Sequence, residues 1–108
     1  MKYSLHVGRG SYPIELDQHV RTRLFFALER FAARLTDIRV RVDDVNGPRG
    51  GTDKLCRIHA RLRWMQPFTV EARADDALAA VDRATTRMKR AVSRAVERRT
   101  DVLAGRVA

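Results

Sequence analysis

Arg83, Arg87, Arg90 and Arg94 recur at intervals of three or four residues near the end of the chain. On a helix that spacing projects all four along one face. Their chemistry is anion recognition: a guanidinium donates two parallel hydrogen bonds to a phosphate and sheds its hydration more readily than an ammonium. Residues 83 to 99 hold seven cations (Arg83, Arg87, Lys89, Arg90, Arg94, Arg98, Arg99) against one carboxylate, Glu97. A row of like charges weakens a helix unless something neutralises it. The helix macrodipole favours cations only over the last turn, so it accounts for the end of the row and not its whole length.

Other reactive residue types converge on nothing. His6, His19 and His59 are scattered, with no H-E-x-x-H metal motif, and no G-x-S-x-G nucleophile turn or G-x-G-x-x-G loop is present. A lone Cys56 forms no internal disulfide or cysteine-based zinc site, and it alternates with inward residues as a small hydrophobe does. No catalytic residue, metal or cofactor is expected, and no small-molecule substrate. The glycine-rich stretch "NGPRGGTDK" (46 to 54) lies between two strand patterns and lacks the G-x-x-x-x-G-K-[ST] order of a phosphate-binding loop. It reads as a hairpin turn, with Arg49 exposed at its tip.

The whole composition points the same way as the row. The net charge is +9, and all but three of the 22 cations are arginine. The isoelectric point is near 11.1. A polyanion is the expected partner, with nucleic acid ahead of membrane, because the chain has no basic amphipathic terminal helix and no lipidation motif. No signal peptide and no apolar run of ~20 residues is present, so the expected location is cytoplasmic. Hydrophobic residues at 44% and charged residues at 32% are the balance of a folded soluble domain, and 108 residues suit one domain.

Periodicity assigns the elements that carry these residues. "KYSLHV" (2 to 7) alternates as a half-buried strand. Asp17 then stands where its side chain would accept first-turn amides of a helix over 17 to 35, about five turns, with Val20, Leu24, Leu28, Phe31 and Leu35 on one stripe. Three further strands follow at 37 to 45, 54 to 64 and 68 to 74, joined by short turns that imply an antiparallel meander. A long helix, capped by Asp75 or Asp76, carries Leu78, Val81, Thr85, Met88, Val92 and Ala95 or Val96 inward. The order β-α-β-β-β-α predicts an α+β domain: a four-stranded mixed sheet, its first helix a crossover to a parallel neighbour, both helices on one face. Arg21, Arg23, Arg30 and Arg34 of the first helix would then extend the cationic surface. The open face gathers a second set, Arg39, Arg41, Arg57, Arg61, Arg63 and Arg73, with Asp43 and Glu71 among them. Cross-strand pairing would neutralise part of that set.

Two stretches carry a resemblance. "DVNGPRGGTDKLCRI" (44 to 58) and "DDALAAVDRATTRMKRAVSR" (75 to 94) resemble the ribosome hibernation-promoting factors, also known as ribosome-associated inhibitor A or sigma-54 modulation proteins, over about residues 2 to 99. "AAVD" followed by Arg87, Arg90 and Arg94 is similar to that family's Ala-Ala-Ile-Asp segment and the basic positions after it. The resemblance implies a fold similar to double-stranded RNA-binding domains. It also implies binding to ribosomal RNA of the small subunit near the decoding region, steric block of translation, and preservation of idle ribosomes in stress or stationary phase. The RNA contacts would be Arg87, Arg90 and Arg94, supported by Lys89, Arg83, Arg30, Arg34 and Arg23. Long members carry a C-terminal dimerisation domain. This chain is expected to be the short form: a domain over 1 to 100, a tail over 101 to 108 and no dimerisation domain. "WMQP" and "VLAGRVA" match nothing in the family pattern. Two other readings stay open: a general double-stranded RNA binder, and a regulatory protein docking on an acidic partner.

Overall fold

The computed structural model describes residues 1–45, 54–103 and 105. The glycine-rich stretch and Arg49 lie outside the described residues. The elements run β1 (Lys2–Val7), α1 (Leu16–Leu28), a 3-10 turn (Glu29–Phe31), β2 (Leu35–Asp44), β3 (Lys54–Leu62), β4 (Phe68–Ala74) and α2 (Ala77–Leu103). The strands form one sheet in the order β1-β2-β3-β4. β1 and β2 are parallel, with Tyr3 opposite Ile38 and Leu5 opposite Val40. The other two pairs are antiparallel. The mixed sheet and the crossover through α1 are as expected from sequence.

Alternation decides what the sheet buries. Ile38, Val40 and Val42 of β2, Cys56, Ile58, Ala60 and Leu62 of β3, and Ala72 and Ala74 of β4 all face the helices and are buried. Against them pack Leu16, Val20, Leu24 and Leu28 from α1 and Ala77, Ala80, Val81, Ala84, Thr85, Met88 and Val92 from α2. The small residues on α2 and β4 let the helix approach the sheet closely. Thr85 is the polar exception, and its hydroxyl donates to the Asp82 carbonyl at 3.0 Å, so no polar group there is left unpaired.

The crossover differs from the sequence expectation in three ways. The α-helix stops at Leu28, a 3-10 turn carries Phe31 into the core, and Leu35 opens β2 instead of closing the helix. Leu35 satisfies the apolar spacing of both elements because both face the same core. A register shift between Leu35 and Asp37 supplies the extra residue that lets Leu35 and Ile38, an odd distance apart, both point inward. Asp17 does not cap α1. It lies inside the first turn and instead accepts from Tyr3 at 3.1 Å and Arg21 at 3.0 Å. Asp76 caps α2, accepting from the Ala79 amide at 2.8 Å, which decides between the two aspartates. β3 ends at Leu62, so Arg63 leaves the sheet face and enters the turn.

That turn holds Trp64 at φ 63°, a left-handed conformation uncommon for a bulky residue. Gly8 continues the β1–β2 pairing, its amide donating to the Val42 carbonyl at 2.8 Å, and a Cβ there would come within 1.7 Å of the Asp43 carboxylate, which would have to swing away.

Burial pushes the Cys56 thiol up to about 12. The native protein should therefore leave a disulfide reagent unreacted near neutral pH and consume one equivalent after denaturation, because the thiolate is the nucleophile. Rapid labelling without denaturant would contradict the burial. Met88→Ala should lower unfolding stability by about 2–5 kcal/mol, read as a reduced urea midpoint with an unchanged slope.

Candidate nucleic-acid interface

The four arginines of the row fall within about 60° of arc on α2, at roughly 100° per residue. All four are exposed, but they divide into two pairs. Arg83 donates to the Arg73 carbonyl at 2.7 Å, and Arg87 donates to the Glu71 carbonyl. Both carbonyls lie on β4, whose outer edge faces no further strand among the described residues. These two guanidinia thus occupy hydrogen-bonding positions that another strand would otherwise fill. Each keeps donors to spare, since a guanidinium carries five.

Lys89, Arg90 and Arg94 are different. Among the described residues none of them has a hydrogen-bond or ion-pair partner. They line a groove between α1 and α2 of about 550 Å³, together with Arg23, Phe26 and Ala27 from α1 and Thr85, Thr86, Ser93 and Glu97 from α2. Glu97 is the one carboxylate in the lining.

Polar ties hold the two helices at this spacing. Asp82 is shared by His19 Nε2 at 2.6 Å and Arg23 Nε at 3.1 Å, which joins the first half of α1 to the start of α2. At the other end Arg30 donates to Ser93 Oγ at 3.3 Å and lies over the Phe31 ring at 4.6 Å. Arg34 is half-buried, and its carbonyl accepts from the Arg63 amide at 2.9 Å. Of the cations on α1 and the 3-10 turn, Arg23 lines the groove and Arg30 meets it only through Ser93. Arg21 turns away to pair with Asp17 and stack on Tyr3, 4.5 Å from the ring centre.

The open face of the sheet carries many arginines, yet carboxylates lie among them. Arg57 meets its register partner Glu71 at 2.8 Å. Arg41 meets Asp43 at 2.6 Å, Arg39 meets Asp37 at 3.5 Å, and Asp37 also lies 3.8 Å from Arg61. Each such pair adds only about 0–1 kcal/mol to stability, but it cancels charge locally. His6 and His59 lie on this face too, His59 Nδ1 with Thr69 Oγ1 at 2.9 Å. Uncompensated positive charge therefore concentrates on the helical side.

The family model described as sigma 54 modulation protein / S30EA ribosomal protein matches residues 12–100. The chain belongs to this family. Among solved structures, the chain is similar to the N-terminal domain of Protein Y from Thermus thermophilus, with TM-score 0.70 and 21% identity over 87% of this chain and 98% of that one. It is also similar to a ribosomal subunit interface protein from Coxiella burnetii, with TM-score 0.72 and 14% identity over 90% and 99% of the two chains. At such identities the likeness concerns the fold, and it is the sigma-54 modulation / S30EA fold that places both helices on one sheet face. No curated protein sequence matches the chain.

Sequence spacing located the row but not its division, because the edge of β4 has to lie beside α2 before Arg83 and Arg87 find its carbonyls. Replacing both by alanine should lower stability by about 1 kcal/mol and raise the oligomer fraction seen in sedimentation velocity, as the strand edge is uncovered. An Arg90→Ala, Arg94→Ala variant should match wild type in both measurements. Equal behaviour of the two variants would remove the distinction.

Proposed function

We propose that this protein is a ribosome-associated translation inhibitor that binds ribosomal RNA of the small subunit near the decoding site and keeps idle ribosomes in a hibernating state under stress or in stationary phase. The observation that carries the reading is the set of exposed cations without partners, Lys89, Arg90 and Arg94, along the α1–α2 groove. Family membership and the name of the Coxiella burnetii neighbour support the ribosome as target. Cytoplasmic action follows from that target. Among the described residues no helix is long and apolar enough to cross a membrane.

Inhibition here needs no chemistry from the protein. A folded body held by arginine and lysine contacts to phosphates excludes other ligands from the same RNA channel. Its affinity comes from releasing counterions, and base identity need not be read. Lys89, Arg90 and Arg94 make the principal contacts in this reading. Arg87 and Arg83 contribute donors left over from the β4 edge, and Arg30, Arg34 and Arg23 flank the groove.

The test is co-sedimentation with ribosomes and separated subunits at two salt concentrations, with a plain RNA duplex as competitor. We expect binding to small subunits that resists the duplex and falls by about three orders of magnitude between 50 and 200 mM salt if ~6 phosphates are contacted. Lys89→Glu, Arg90→Glu and Arg94→Glu together should abolish it without changing the thermal midpoint. Unchanged sedimentation of that triple variant would overturn the reading. Complete loss to the duplex would indicate a general double-stranded RNA binder, and binding that survives nuclease treatment would indicate an acidic protein partner.

A further inference from the structure

Two phenylalanines of α1 sit outside the stripe that the helix buries. Val20, Leu24 and Leu28 are 0%, 4% and 1% exposed, whereas Phe25 and Phe26 are 60% and 65% exposed. Their rings meet edge to face, centroids 5.6 Å apart and planes at 80°. Phe25 leans over an apolar hollow on the β1 side of α1, lined by Tyr3, Leu24 and Leu28 among others. Phe26 lines the α1–α2 groove with Lys89, Arg90 and Arg94. The groove thus has a phenyl ring on one wall and three unpaired cations on the other, and its ring is braced by a neighbour.

This combination selects between forms of RNA. A duplex keeps its base faces stacked inside and offers phosphates and 2′-hydroxyls at its surface, so an exposed ring gains little from it. An unpaired nucleotide offers a base face within reach of its own phosphates, and base–aromatic stacking beside cations is how single strands are held without regard to sequence. The volume of about 550 Å³ lies within the ~300–1,000 Å³ typical of small-ligand sites.

We propose that the groove takes an unpaired RNA nucleotide, from a single-stranded or bulged segment, with its base stacked on Phe26 and its flanking phosphates held by Lys89, Arg90 and Arg94. Phe25 fixes the ring orientation. Arg23 is held by Asp82 and shapes the wall more than it grips. The inference rests on the RNA-binding reading and narrows it to strands whose bases are free.

The experiment uses Phe26→Ala and Phe26→Tyr in the full chain, and Phe26→Trp in a Trp64→Phe background so that the new indole is the single tryptophan. Each is measured against a short single-stranded RNA, a blunt RNA duplex and small ribosomal subunits. Because the ring is exposed, all three variants should melt with wild type. We expect Phe26→Ala to bind the single strand and the subunits roughly tenfold more weakly and the duplex unchanged, Phe26→Tyr to stay near wild type, and the indole emission to be quenched by the single strand and the subunits but not by the duplex. A Phe26→Ala variant that binds both as wild type does, while the charge-reversal triple variant loses the subunits, would overturn base stacking and leave the RNA-binding reading standing. Self-association of the wild type that disappears in Phe26→Ala would also overturn the proposal, assigning the ring to an interface between copies.

Discussion

Sealing one side of a four-stranded sheet with two helices leaves a small, strongly basic chain only two broad surfaces for its charge. Core burial fixes this partition. Residues that alternate along β2, β3 and β4 send their apolar members to the helices and their arginines to the open face, while the helices send their cations outward on the opposite side. Which surface remains positive then depends on where the few carboxylates stand. Asp37, Asp43 and Glu71 stand on the sheet; along α2 from Arg83 to Arg99 there is Glu97 alone. A chain with evenly spread acids would have the same fold and no cationic face.

The same packing sets the shape of that face. Asp82 accepts from two α1 side chains at once, and Arg30 reaches Ser93, so polar contacts hold the helices near both ends of the groove. The groove is therefore built from elements already ordered by the core, so little backbone entropy remains to be lost when a ligand enters, and the ordering cost falls on the exposed side chains of Lys89, Arg90 and Arg94. Arg83 and Arg87 add a separate function by covering the β4 edge. Positive charge at a strand edge discourages pairing with other strands, and it extends the cationic surface at no further expense of ordering.

How much of this was readable from sequence depends on whether local or long-range contacts decide the feature. Alternation in β3 and β4 is local and strict, so β4 begins and ends where expected and the meander follows. The row on α2 is likewise a matter of spacing. Leu35 was ambiguous because a helix stripe and a bulged strand can place it at the same core position; only pairing with β3 resolves it. Asp17 resembled a cap because it precedes an apolar-periodic run, yet Tyr3 and Arg21 claim its carboxylate. The pairing of Arg41 with Asp43 runs along its own strand, and Arg57 with Glu71 runs across, so the sheet face was only half legible from cross-strand reasoning.

Phe26 carries half of its signal in the sequence and half in the packing. Positions 24 and 28 already supply the buried stripe, so two phenylalanines at 25 and 26 cannot both serve the core of a helix with 3.6 residues per turn. An apolar residue off the stripe is ordinary when it stands alone. Here one of the pair stands against unpaired cations, and that second fact requires the packing angle of α1 on α2, which no local pattern encodes. Partner-free charge together with an exposed ring is what separates this groove from the open sheet face, where Arg39, Arg41, Arg57 and Arg61 lie beside carboxylates. A binding surface in such a small basic domain is thus better located by asking which cations the fold has left unneutralised than by counting cations.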